Sequence, residues 1–172
     1  MQTNPRLAHW ANVLRGLTIA TMVVLPVFII FGLVATLTGG AALPALQGEA
    51  PQVNRLFAAL IGLLSPAILL WTLNEMRQLF TAFMHGDVLT DASAALIRRI
   101  GQGFLALAVA PILIGPAQSL LLSLANPPGQ RSIALSIESD MVFFALSGGL
   151  IIVIGWAMRE ASAVAAENRA FV

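Results

Sequence analysis

Four uncharged apolar stretches, each near the length needed to cross a bilayer, constrain this chain more than any other feature. A hydrocarbon core of about 30 Å takes around 20 helical residues at ~1.5 Å each. The first stretch, residues 16–37, is rich in Val, Ile and Leu and lies between Arg15 and Thr38-Gly39-Gly40. The second, residues 56–73, is bounded by Arg55 and Glu75 and sits near the lower length limit. Residues 101–124 follow Arg99 and stop before Asn126-Pro127-Pro128-Gly129, a strong turn signal. The fourth stretch, residues 141–158, runs between Asp140 and Arg159. Inside hydrocarbon each segment must satisfy its own backbone polar groups, which makes all four helices. The expected fold is all-α, a single integral membrane domain of four transmembrane helices with the lipid bilayer as its first partner. The first stretch is longer than the core of a signal peptide, so it is read as an uncleaved helix.

Composition removes most functional classes. Hydrophobic residues make up 58% of the chain and charged ones 10%, against about 25% charged in soluble proteins. A formal net charge of +1 supplies no basic field for phosphate neutralisation, which argues against direct nucleic-acid binding. The chain has no Cys, so disulfides, thiolate nucleophiles and Cys-ligated metals are excluded. His9 and His85 are the two histidines, and neither stands in a His-x-x-x-His or Glu-x-x-His pattern that would hold a metal. No Lys exists to complete a phosphate loop, and Ser and acidic residues without a base give no activated nucleophile. The reading is therefore non-enzymatic, with no cofactor. No ionisable residue falls within the four stretches, which argues against a proton-coupled pump.

Arginines set the orientation, because Arg and Lys near span ends are retained on the cytoplasmic side. Arg6, Arg15, Arg77, Arg98, Arg99, Arg159 and Arg169 fall on one side of a four-span chain, and Arg55 and Arg131 on the other. Both termini, the loop of residues 74–100 and the tail of residues 159–172 are thus expected in the cytoplasm. Trp10, Trp71 and Trp156 lie near span ends, where amphipathic rings anchor at the headgroup layer. Pro26, Pro66, Pro111 and Pro116 are expected to kink their helices. Thr18, Thr21, Ser65, Ser119 and Ser147 can bond back to their own helix. Ala145 and Gly149 have the small-xxx-small spacing that permits close helix approach, within the bundle or in a homodimer through the fourth helix. Outside the bilayer, Ser132 to Ile137 alternates like a short strand, and reads equally well as an irregular approach to the fourth helix.

The middle loop is the most specific part of the sequence. Leu73, Met76, Leu79, Phe80, Phe83 and Met84 fall on one helical face and Asn74, Arg77, Gln78, Thr81 and His85 on the other, so the second helix continues as an amphipathic one. Its apolar face has three possible covers: the membrane surface, the bundle, or a partner helix. Gly86-Asp87 breaks the helix, and Thr90 followed by Asp91 caps the next. Asp87 and Asp91 have Arg98 and Arg99 as candidate ion-pair partners. After Arg159 an Ala-rich tail with Glu160 and Glu167 continues the fourth helix by a few turns.

Gly86-Asp87-Val88-Leu89-Thr90 followed by Leu96-Ile97-Arg98-Arg99-Ile100-Gly101 resembles the central motif of a bacterial membrane family, domain of unknown function 2975. The tail, Glu160-x-x-x-Val164-x-x-Glu167-Asn168, is similar to that family's terminal block, and the resemblance spans nearly the whole chain. Leu89 replaces a commoner Phe and Val164 a commoner Leu. The resemblance implies a four-helix protein of the bacterial inner membrane with no established activity. It also implies a cytoplasmic protein partner, such as a small helix-turn-helix DNA-binding regulator. On that reading Gly86, Asp87, Thr90, Arg98, Arg99, Gly101, Glu160, Glu167 and Asn168 are the candidate partner-binding residues. Two alternatives stand beside it: a small carrier or channel for an uncharged or lipidic solute, using Ser65, Gln118 and Ser119, and an assembly subunit of a larger membrane complex.

Overall fold

A computed structural model of the protein describes residues 5–37, 51–124 and 138–170. These form α1 (Pro5–Leu37), α2 (Gln52–Gly62), α3 (Leu64–Met84), α4 (Asp91–Ser123) and α5 (Ser139–Ala170), with no strand among the described residues. Four helical segments are long and apolar enough to cross a membrane: Arg6–Ala35, Val53–Met84, Asp91–Ser123 and Ser139–Glu167. The alternating segment from Ser132 to Ile137 lies outside the described residues, as do Phe171 and Val172.

The second segment is interrupted where its proline predicts. Pro66 has no N–H, so the Gly62 carbonyl four residues earlier loses its partner in the ladder. Leu63 at the junction stays right-handed, with φ −68° and ψ −12°. The regular pattern resumes where the Ala67 N–H donates to the Leu63 carbonyl at 3.0 Å. In contrast, α4 runs unbroken through Pro111 and Pro116, and α1 through Pro26.

Helix α4 is the axis of the bundle, with α5 on one side, α3 on another and α2 near its far end, while α1 packs on α3. The packing is inside-out relative to a water-soluble domain. Small residues fill the buried positions, among them Ala58, Ala94, Ala108 and Ala110, whereas Phe28, Phe31, Leu113 and Leu146 face outward. So many exposed large apolar side chains are what a bilayer solvates and water does not.

Close approach of α4 and α5 depends on glycines. A Cβ on Gly101 would stand 2.7 Å from the Gly148 carbonyl oxygen, and one on Gly148 would stand 2.8 Å from that of Gly101. One Cβ at Gly155 would meet Cγ of Arg98 at 2.6 Å. The seam therefore follows the seven-residue step from Gly148 to Gly155, the repeat that keeps one helix face on its neighbour. Gly149 has open space around it, so the small-residue pair Ala145 and Gly149 is not what joins α5 to α4.

Candidate functional site

The hairpin between α3 and α4, the start of α1 and the end of α5 share one end of the bundle. Arg15 Nη1 reaches Sδ of Met84 at 3.7 Å, bringing α1 to the end of α3. The amphipathic continuation of α3 is packed within the bundle, with Leu79 buried. Leu73, Met76, Phe80, Phe83 and Met84 on the same face are half-buried, so the bundle covers that face in part.

The hairpin is built by local rules. Gly86 has φ 87°, the left-handed conformation that glycine adopts without a steric penalty. Its N–H bonds the Phe83 carbonyl at 3.2 Å, and the Asp87 N–H bonds the Ala82 carbonyl at 3.1 Å. This pair of bonds is a Schellman motif, and it satisfies carbonyls that the end of α3 would otherwise leave open. Thr90 then caps α4, its hydroxyl oxygen accepting from the Ser93 N–H at 3.2 Å. Ser93 is fully buried and its hydroxyl donates to the Asp87 carbonyl, tying the turn to the first turn of α4.

One long-range bond joins this hairpin to the tail. The Ser162 hydroxyl lies 2.8 Å from Oδ1 of Asp91 and 2.8 Å from the Arg159 carbonyl oxygen. A hydroxyl has one hydrogen, and an ionised carboxylate is the stronger acceptor. Asp91 therefore holds α5 one turn beyond Arg159, with Ser162 buried in the contact.

A second polar contact crosses from α3 to α4. Glu75 is 5% exposed, and its Oε2 stands 3.6 Å from Nη1 of Arg99. That is an ion pair beyond hydrogen-bond distance, which agrees with Oε2 having no hydrogen-bond partner among the described residues. One turn further into the bundle, the side chain of Thr72 fills the space left by Gly103. The expected pairing of Asp87 or Asp91 with Arg98 or Arg99 is thus replaced: Arg99 faces Glu75, and Asp91 is engaged by Ser162.

Four of the nine sequence-nominated residues have a role in the fold. Gly86 shapes the turn, Thr90 caps, Gly101 admits α5, and Arg98 lays its stem against Gly155. Asp87, Arg99, Glu160 and Glu167 remain exposed at this end, together with Leu89. Asn168 belongs to α5, and its side chain lies outside the described residues. Glu75 and Ser162 are the contributors that sequence reasoning missed. Glu75 was readable from spacing, since Thr72, Glu75 and Leu79 recur at helical intervals on one buried face.

At the opposite end, a cavity of about 340 Å³ lies at the α2–α3 interruption, walled by Phe28, Leu33, Gly62, Ser65, Ile114 and Gln118 among others. Gln118 Nε2 donates to the Ala58 carbonyl at 2.8 Å, holding α4 to α2. Thr18, Thr21 and Ser119 bond back to their own helices. Compared with protein-family models, curated proteins and solved structures, the chain finds no match.

Proposed function

We propose that this chain is a non-enzymatic multi-pass protein of a bacterial inner membrane that holds a cytoplasmic protein partner on its hairpin-and-tail end. The observation that carries this reading is the Asp91–Ser162 bond, which unites two segments 71 residues apart into one polar surface. On that surface Asp87, Leu89, Glu160 and Glu167 are exposed, as is Arg99 beside its partner Glu75. A rigid hairpin presenting exposed side chains binds with less ordering cost than a flexible loop. Arg6, Arg15, Arg77, Arg98, Arg99 and Arg159 all belong to this end, which supports a cytoplasmic placement. The resemblance to domain of unknown function 2975 supports a small helix-turn-helix regulator as the partner.

Photo-crosslinking probes at Leu89 and Ala163, both exposed, test it in native membranes. Recovery of the same small DNA-binding protein from both positions, lost when Glu160→Arg and Glu167→Arg are combined, is the expected result. Adducts confined to lipid and membrane subunits would overturn the reading.

A second reading is favoured by the cavity at the helix interruption. Broken helices inside the bilayer can expose backbone carbonyls to a site, and here Gly62 lines the cavity with Ser65 and Gln118. This suits an uncharged or lipidic solute with one hydrogen-bonding group. Reconstituted vesicles that move no member of a broad panel of such solutes would remove it.

A further inference from the structure

The groove between the hairpin ends of α4 and α5 is lined by two arginines, Arg98 and Arg159. It measures about 250 Å³ and is lined by Asp91, Ala94, Ala95, Arg98 and Arg159. Neither Arg98 nor Arg159 makes an ion pair among the described residues. The one carboxylate on the wall, Asp91, is held by the Ser162 hydroxyl. Two arginines against one carboxylate leave the groove with a net positive charge, which favours a further anion there.

The placement is built. Gly155 leaves room for the Arg98 stem, because any Cβ there would stand 2.6 Å from Arg98 Cγ and 3.1 Å from its backbone nitrogen. Arg159 is one turn along α5 from Gly155, so both arginines line the same groove. Ala94 and Ala95 are too short to fill the space between them. The level along the helices is equally defined. Arg98 precedes the uncharged run of α4, Arg159 follows that of α5, and Trp156 is 59% exposed one turn inside. Tryptophan at such a position marks the headgroup layer.

We propose that this groove is a phosphate site in the headgroup layer, with Arg98 and Arg159 as its two arms. Guanidinium groups match phosphate oxygens in a forked geometry, and basic pockets between membrane helices take anionic lipid head groups. The phosphate arrives either on an anionic phospholipid or on a soluble phosphorylated compound. The site does not depend on the protein-docking reading, whose exposed residues are Asp87, Arg99, Glu160 and Glu167.

Native mass spectrometry of the purified full chain, with phosphatidylglycerol and phosphatidylcholine in competition, tests the lipid source. Thermal stability in detergent, with and without inorganic phosphate, tests the soluble one. Retention of phosphatidylglycerol over phosphatidylcholine is expected, falling about fivefold for each arginine removed in Arg98→Gln and Arg159→Gln. Arg77→Gln, a charge change on α3 at the same end, should leave the preference unchanged. Stabilisation by inorganic phosphate that vanishes in Arg159→Gln, without lipid selectivity, would assign the soluble source. Arg159 is exposed, so its variant keeps the test valid if Arg98→Gln does not fold. Absence of both effects, or an equal loss in Arg77→Gln, would overturn the site.

Discussion

Glu75 and Arg99 face each other at 3.6 Å across the α3–α4 seam, with the Glu75 side chain 7% exposed and that of Arg99 57% exposed. The two ends of this pair are therefore unequal. Removing Arg99 strands a buried carboxylate, whereas removing the charge on Glu75 leaves an arginine that water can solvate.

Arg99→Gln is accordingly expected to cost about 1–3 kcal/mol, and Glu75→Gln less, since a neutral amide carries a smaller desolvation penalty. Combining the two should recover most of the loss, because the stranded charge is gone. A double-mutant cycle on thermal unfolding in detergent checks this. Simple additivity of the two single costs would show that the pair is not coupled.

The α4–α5 seam makes a prediction between adjacent residues. Gly148→Ala forces a Cβ toward the Gly101 carbonyl at 2.8 Å and the Leu105 nitrogen at 2.9 Å, both backbone atoms that cannot turn aside. Gly149→Ala meets nothing within 4 Å. The first should destabilise by about 1–3 kcal/mol and the second by no more than about 0.5 kcal/mol. Equal melting temperatures for the two variants would contradict the close approach.

The parts of this fold that follow local rules were legible in the sequence. Uncharged runs mark the spans, Gly86 ends α3, Thr90 starts α4, and Pro66 interrupts the second segment, each by a mechanism acting within a few residues. What failed was partner assignment across helices. Arg98 and Arg99 are neighbours in sequence, yet about 100° of helical rotation sends one to α5 and the other to α3. Gly148 and Gly149 divide in the same way, one on the seam and one in open space. Ser162 gives no local hint that it will meet a carboxylate 71 residues away. The nominated partner-binding motif was recognisable, but much of it is recognisable because it builds a turn and a helix contact.

The hairpin prediction separates its two devices. Gly86→Ala places a Cβ in the left-handed region at a cost of about 1–2 kcal/mol. Thr90→Ala removes the cap of α4 at about 1 kcal/mol. Hydrogen exchange should show faster opening in the first turn of α4 for the cap variant and at the end of α3 for the glycine variant. Uniform acceleration across the whole bundle would mean that the hairpin does not open as a local unit.

Ser162→Ala tests whether the tail is held by a single bond. The hydroxyl serves Asp91, a charged acceptor, so its loss should cost about 1.5 kcal/mol, a factor of roughly ten in local opening. Since α4 keeps its own cap from Thr90, the effect should fall on α5 beyond Arg159 and leave α4 protected. Asp91→Asn is the informative companion: the amide oxygen still accepts from Ser162, so exchange in the tail should rise less than in Ser162→Ala. If both variants accelerate α4 and α5 alike, hairpin and tail open as one body. If neither changes the tail, helix packing alone retains it and the polar surface does not depend on this bond.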